Sequence, residues 1–470
     1  MSESARDIFD DLVNTVPSPE VNQRINTAVV MGGSIAGLLA ARVLADHARR
    51  VVIVERDDVG VGVGVGVDSR PRHGTPQDQQ VHVLLAAGRR WIERWFPGFA
   101  STAIDAGAVM ASEDQVLQVA DGVPVAGTGS EEHAILQASR PFLEARIRER
   151  VLGLPGVSVL RARATGVRIE DAVTTGVLYD ADGTGGVLDA GFVVDATGRA
   201  SKLADWVEAA GYDRPRLERL RAPINYASAM FRRTGDPYRM TTNCALTTFG
   251  PGNELDGVGV AAVGAIEDHQ WIVLLMGYGT DRPGRTIEEF RALCAKLPDV
   301  YGQASQGDLT RDIVFYHQQE SRRRSFSGLR FPGRLTAVGD AVASFNPIYG
   351  QGMSSAALHA SCLSVYLSRG PLLDVAAEEF YALQDVVVDA AWALSAGGDL
   401  ARQDAITGAE VPNDVLQQRI ALQRILEASR VDGFVARAFY DVAYMLRHPA
   451  ALADPELVQR VGQVLGDRPR

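Results

Sequence analysis

Apolar residues in this chain gather in short unbroken runs that end on glycine or a carboxylate, as strands buried on both faces of a parallel sheet do. The first run, Ala28 to Met31, passes into Gly32-Gly33-Ser34-Ile35-Ala36-Gly37, then a helical stretch through Asp46, then a second run, Val51-Val52-Ile53-Val54, closed by Glu55. Strand, glycine turn, helix and a second strand ending in an acid make a βαβ dinucleotide-binding fingerprint. Gly32 permits the tight turn and Gly37 lets helix and strand pack closely. The backbone N–H groups that open the helix, around Ser34 and Ala36, hold a pyrophosphate at the positive end of its dipole. Ser34 stands where the usual pattern has a middle glycine, which narrows the approach to the phosphates without blocking it. Glu55 is expected to reach a ribose hydroxyl, with Arg56 beside it.

Two later runs repeat the pattern. Phe192-Val193-Val194-Asp195 runs into Ala196-Thr197-Gly198-Arg199, and Leu335-Thr336-Ala337-Val338 into Gly339-Asp340. The second is followed by Asn346-Pro347-Ile348-Tyr349-Gly350-Gln351-Gly352-Met353 and a helix of small residues. Ser139-Arg140-Pro141 opens another helix, running to Arg150. Residues 222–232, 257–265 and 270–277 read as strands, with Trp271, Met276 and Tyr278 as candidate pocket walls. From about residue 378 the pattern is helical, broken at 408–412, and Phe434, Ala438, Tyr440, Tyr444 and Met445 form an apolar face on the last long helix. The valine–glycine alternation from Val59 to Val67 reads as a loop and a candidate flap. Arg322-Arg323-Arg324 reads as a solvated turn, with binding of an acidic substrate group as the alternative.

At 470 residues, with motifs spread from 28 to 353, the domains must be interleaved. Hydrophobic residues make up 46% and charged residues 22%, ordinary for a soluble globular chain. The net charge of -11 argues against nucleic acid and anionic membranes as partners. Three cysteines, Cys244, Cys294 and Cys362, have neither metal spacing nor a disulfide framework, so no metal is expected and a cytoplasmic setting is. Residues 1–26 carry acids and no apolar core, which reads as an extra N-terminal helix or arm rather than a signal peptide. No stretch is apolar enough for stable membrane insertion.

These motifs resemble those of the class A FAD-dependent monooxygenases. The resemblance implies an α/β fold: a Rossmann-like, three-layer FAD-binding domain with a parallel sheet, an interleaved antiparallel-sheet substrate domain and a helical C-terminal region. It places the FAD-binding domain at residues 27–72, 132–204 and 320–370, the substrate domain at 73–131 and 205–319, and the helical region at 371–470. It assigns Asp340 to the ribitol chain, Arg140 to the cofactor's side, and Pro347, Gly350, Gly352 and Met353 to the isoalloxazine. The helix after that loop stabilises the negative charge that reduced flavin carries at N1.

Within that family the chain is similar to flavin epoxidases of polyether polyketide pathways. Their Arg-x-Gly-Val-Pro-Gln-x-x-His-x-His segment corresponds to Arg72-His73-Gly74-Thr75-Pro76-Gln77-Asp78-Gln79-Gln80-Val81-His82, which makes Arg72, Gln77 and His82 candidates at the flavin edge or substrate. Gln80 replaces the first histidine, and Thr197-Gly198 replaces the Asp-Gly pair through which aromatic hydroxylases contact FAD and NADPH. The implied reaction is NAD(P)H-dependent epoxidation or hydroxylation of a bulky apolar secondary metabolite such as a polyketide polyene. The fold also resembles flavin-containing cyclases of spirotetronate pathways, which retain FAD and catalyse a redox-neutral Diels-Alder type cycloaddition by holding diene and dienophile together. Flavin halogenation fits poorly, because the Trp-x-Trp-x-Ile-Pro motif is absent and no lysine precedes Lys202. Reduction of an alkene, as in geranylgeranyl reductases, is conceivable on the shared fold. No catalytic acid or base stands out.

Overall fold

The computed structural model describes residues 4–17, 22–59 and 69–466; the valine–glycine alternation beyond Val59 lies outside the described residues. Five strands form a parallel sheet in the order Leu335–Ala337, Phe192–Asp195, Ile25–Met31, Ala48–Glu55, Val157–Arg161. Its register aligns the three sequence motifs. Met31 lies opposite both Val54 and Asp195, and Asp195 opposite Ala337. The turns that follow are therefore neighbours at the carboxyl edge of the sheet, where open α/β sheets form their ligand crevice. Backbone bonds fix them there: Gly32 N–H to the Val54 carbonyl (2.9 Å), Ala196 N–H to Met31 (2.8 Å) and Val338 N–H to Asp195 (2.8 Å).

Helices Ile35–His47, Arg140–Leu152 and Gln351–Ser368 pack together beside this sheet, and a three-stranded antiparallel sheet (Arg163–Glu170, Val173–Ala181, Thr184–Asp189) packs against its strands. A Cβ on Gly37 would overlap the Gly32 carbonyl, so this helix can approach the turn only with glycine there.

Eight further strands form a second large sheet, built on the long antiparallel pair Leu217–Arg232 and Leu309–Arg324. It continues through Gln270–Tyr278, Val260–Ile266 and Cys244–Thr248 to Val116–Ala120, the last pairing parallel. The period of two sorts its side chains. One face carries Ala227, Phe231, Trp271, Val273 and Leu275 into a core completed by Phe290 and Tyr301 of two short helices. The other carries Tyr226, Val260, Leu274 and Met276. Trp271 is therefore core rather than pocket wall, while Met276 and Tyr278 line the cavity described below.

The arginine run is not a turn. Arg322, Arg323 and Arg324 end the strand Leu309–Arg324, and Arg323 pairs with Asp389 (2.8 Å) while lying 4.9 Å over the Trp392 ring. The C-terminal region is the helices Glu378–Thr407, Asn413–Ser429, Gly433–Ala443 and Pro455–Gly466. Phe434 departs from the expected apolar face and is exposed, whereas Tyr440 and Tyr444 face the cavity. At the other end of the described chain, helix Ala5–Asn14 starts with a Ser4/Asp7 capping box and buries Phe9, Leu12 and Val13. Among the described residues no helix is long and apolar enough to cross a membrane.

Candidate cofactor and substrate site

Gly32 adopts a φ of 103°, open to glycine and strained for other residues, and this turn brings Gly33 under Glu55. The Gly33 N–H donates to Glu55 Oε2 (2.7 Å), and the Asp57 N–H donates to Oε1 (2.9 Å). Helix Ile35–His47 then begins without a side-chain cap, because Ser34 Oγ is engaged elsewhere: it donates to Glu144 Oε2 (2.7 Å) and accepts from Arg140 Nη2 (2.8 Å). The first N–H groups of this helix are left for another acceptor.

Around Ser34 lies a buried cluster of charges. Glu144 accepts from Arg72 and from Arg148 (2.8 Å), and Arg140 pairs with Asp78. Arg72 also stands 3.5 Å from Glu55 and 3.3 Å from Asp57. Burial works to raise the Glu144 carboxyl, but Arg140 and Arg72 outweigh it and hold it below the ordinary range. Glu144 and Arg140 are four residues apart on one helix face, so a single turn of helix Arg140–Leu152 sets both.

The third turn completes this wall. Gly339 takes a φ of 62° and Asp340 lines the cavity, its carboxyl raised by burial against the lowering effect of Arg199 and Arg140. Pro347, Gly350, Gly352 and Met353 follow on the same wall. Gly350, at a φ of 66°, turns the chain into helix Gln351–Ser368, again with no side-chain cap. A Cβ on Gly352 would meet no atom within 4 Å.

All three turns open into one cavity of about 1970 Å³. A single drug-sized ligand fits in roughly 300–1,000 Å³, so this volume suits two ligands side by side. Its far wall is the apolar face of the eight-stranded sheet, with Tyr226, Leu274, Met276 and Tyr278. Tyr440 and Tyr444 close one side, Tyr444 accepting from Gln118 Nε2 (3.1 Å). Between turns and sheet runs the segment from Arg72 to His82. Gln80 is 2% exposed, accepts from Ser228 Oγ (2.7 Å) and donates to the Val314 carbonyl (3.4 Å), so it braces this segment against two strands of the sheet. His82 lines the cavity with Nδ1 3.0 Å from the Gln80 carbonyl, and burial pushes its imidazole down to about 4.

Protein Rv3254 of Mycobacterium tuberculosis (strain ATCC 25618 / H37Rv) is 32% identical over 430 residues, which span 88% of each chain. The chain belongs to the family of Protein Rv3254. No family model matches it. Among solved structures, p-nitrophenol 4-monooxygenase PnpA from Pseudomonas putida DLL-E4 matches this Rv3254-family chain with a TM-score of 0.63 at 17% identity, over 90% of this chain and 99% of PnpA. The flavin-dependent brominase Bmp2 matches with a TM-score of 0.58 at 16% identity, over 93% and 92%. PqsL of P. aeruginosa, solved with 2-aminobenzoylacetate, matches with a TM-score of 0.58 at 20% identity, over 81% and 97%. At such identities the likeness shows the fold: this member of the Rv3254 family has the α/β fold of flavin-dependent monooxygenases.

Of the residues singled out in the sequence, Gly32, Ser34, Ala36, Glu55, Arg56, Arg140, Asp340, Pro347, Gly350, Gly352 and Met353 all line the one cavity, as do Arg72, Gln77 and His82. Gly37 lies behind the wall, packed on Gly32. Arg56 is the most open of the charged ones, at 55% exposure of its side chain, with Asp57 3.9 Å away. Sequence reasoning passed over Asp78, Glu144, Arg199 and His359. Glu144 had a signal in its spacing from Arg140; Asp78 and His359 had none, because the partners that tie them to the cavity wall, Arg140 and Gly339, come from other elements.

Proposed function

We propose that the chain is an FAD-dependent monooxygenase, an epoxidase or hydroxylase, acting in the cytoplasm on a bulky apolar small molecule such as a polyketide polyene, with NAD(P)H as reductant. One observation carries the reading: a single cavity runs from the uncapped helix at Ser34, past Asp340 and the Gly350–Gly352 turn, to the apolar face of the second sheet.

The residues present fit FAD. Two helix N-termini without side-chain caps face the cavity, one suited to a pyrophosphate and one to a developing negative charge. The open space beyond Gly352 admits a flat ring at close range. FAD, when bound, accepts two electrons from a nicotinamide and activates dioxygen, one atom of which goes to the substrate while the other leaves as water. The chain's part is to hold the phosphates at Ile35 and Ala36, to offer the Asp340 carboxylate to a sugar-type hydroxyl, and to keep water from the apolar wall.

A redox-neutral cyclase that retains FAD is the second reading, and Gln80 favours it. The resembling epoxidases carry histidine at this position, whereas Gln80 is a buried brace with no proton to exchange. The test is anaerobic addition of NADPH or NADH to the purified protein with candidate polyenes, followed by oxygen. Bleaching, reoxidation and a product heavier by one oxygen support the monooxygenase. Inert flavin with a product of unchanged mass supports the cyclase. An Asp340→Ala variant that keeps its full FAD content overturns the cofactor assignment in both readings.

A further inference from the structure

The apolar half of the cavity contains a buried polar cluster behind the Pro347–Gly352 turn. At its centre is Asp399, on helix Glu378–Thr407, 7% exposed and part of the cavity wall. Asn346 Nδ2 donates to Asp399 Oδ1 (2.8 Å), which joins it to the Pro347–Gly352 turn. Oδ2 is buried and has no hydrogen-bond partner among the described residues.

Among the described residues no neighbouring polar group supplies that partner. Tyr226 and Tyr278 face Asp399 from the sheet and Tyr349 from the turn, and none donates to it. Arg402, one turn along the same helix, points elsewhere: it pairs with Glu254, donates to the Phe249 carbonyl (3.1 Å), and stacks 3.6 Å from the Tyr278 ring centre. Burial pushes the Asp399 carboxyl up to about 6, against the opposing pull of Asn346 and Arg402. A half-satisfied carboxylate in an apolar chamber lowers stability unless a ligand completes it.

We propose that Asp399 is the polar anchor of the substrate chamber, selecting an otherwise apolar ligand that carries a hydroxyl or N–H group and accepting a hydrogen bond from it. This rests on reading that part of the cavity as the substrate chamber. It narrows the substrate from a bare hydrocarbon polyene to one with a donor placed to meet Asp399 while its apolar body lies on Leu274 and Met276.

The probes are 2-naphthol and 2-methoxynaphthalene, equal in ring and differing in the donor, titrated into the holoprotein by fluorescence. At pH 8 the naphthol should bind roughly tenfold more tightly, the ordinary worth of a hydrogen bond to a charged acceptor. That preference should shrink as pH falls through 6, because Asp399 takes up a proton. The tyrosines are pushed above their ordinary values and His82 down to about 4, so none of these titrates between pH 5 and 8. Asp399→Asn should lose the pH dependence, and Asp399→Leu the preference.

Equal binding of the two probes by the wild type, binding of neither, or a preference that survives in Asp399→Leu or does not vary with pH would each overturn the proposal. Should the leucine variant not fold, the wild-type pH profile and Asp399→Asn still decide. FAD content, read by absorbance after denaturation, separates the two readings. Protein without FAD that still prefers the naphthol refutes the proposed function alone; flavin-loaded protein without the preference refutes the anchor alone.

Discussion

The backbone N–H of Gly339 donates to Nδ1 of His359 across 2.9 Å, so one buried imidazole ties the Gly339–Asp340 turn to the helix that begins at Gln351. Since Nδ1 accepts, the ring is neutral with its proton on Nε2, 3.4 Å from Ser355 Oγ. Two parts of the cavity wall, separated in sequence, are thereby held in one geometry. Burial pushes His359 down to about 3, so it is neutral at pH 7.

His359→Leu should therefore strand a buried N–H and cost about 1–3 kcal/mol, with a parallel loss of retained FAD. The pH sign follows from the depressed value. His359 contributes stability that is full above its ordinary range near 6.5 and is lost as pH falls toward 3. The leucine variant should lie below the wild type at pH 7 and approach it by pH 4. His82 also titrates low, so part of the acid-side slope will remain. Denaturant unfolding at both pH values checks this, and an undiminished gap at pH 4 would contradict it.

The two glycines of the expected cofactor wall should behave in opposite ways. A Cβ on Gly37 runs into the Gly32 carbonyl, a backbone atom that cannot move without unmaking the turn. Gly37→Ala should cost more than about 3 kcal/mol or give no folded protein. A Cβ on Gly352 meets nothing within 4 Å, and alanine suits a helix better than glycine by about 1 kcal/mol. Gly352→Ala should be as stable as the wild type without FAD, yet bind FAD more weakly because the methyl enters the cavity. Normal FAD affinity in that variant would place the ring elsewhere.

The contrast between those two positions shows what could be read in the sequence. The glycine turns and the strands before them were legible because each depends on local backbone geometry: one tight turn, one close approach, one acid at a strand end. The parallel sheet was expected from the same runs, while the register that makes the turns neighbours comes from pairing between strands far apart in the chain. Arg322 to Arg324 misled because charge suggested solvent, while the strand Leu309–Arg324 places acidic partners, Glu218 and Asp389, beside Arg323. Trp271 and Met276 differ by an odd number of residues, so on one strand they must face opposite ways. Choosing the cavity side needed the helix carrying Phe290. Asp399 was illegible, as its hydrogen-bond partner Asn346 lies 53 residues away.

Asp399 should also lower the stability of the folded protein. Its carboxyl ordinarily titrates near 3.8 and is pushed up to about 6 on folding. Its contribution is thus most favourable below the ordinary value and is lost as pH rises through 6. Asp399→Asn can keep the Asn346 contact through its own carbonyl, so it should exceed the wild type in stability at pH 8 by an amount of order 1–3 kcal/mol. At pH 4 the advantage should be nearly gone. An asparagine variant less stable than the wild type at pH 8 would mean that the ionised carboxylate has a partner of its own.

Gly398 adjoins Asp399, and a Cβ there would overlap the Tyr349 hydroxyl. The obstacle is the tip of a side chain rather than backbone, so Tyr349 can yield, but only by turning within the Pro347–Gly350 segment, where Gly350 already holds a φ of 66°. Gly398→Ala should cost about 1–3 kcal/mol as overpacking. If Tyr349 and the FAD ring share this wall, the same substitution should alter the visible circular dichroism of the bound flavin while FAD content stays near that of the wild type. A variant with unchanged flavin dichroism and unchanged stability would show that Tyr349 moves freely there and does not shape the ring's surroundings.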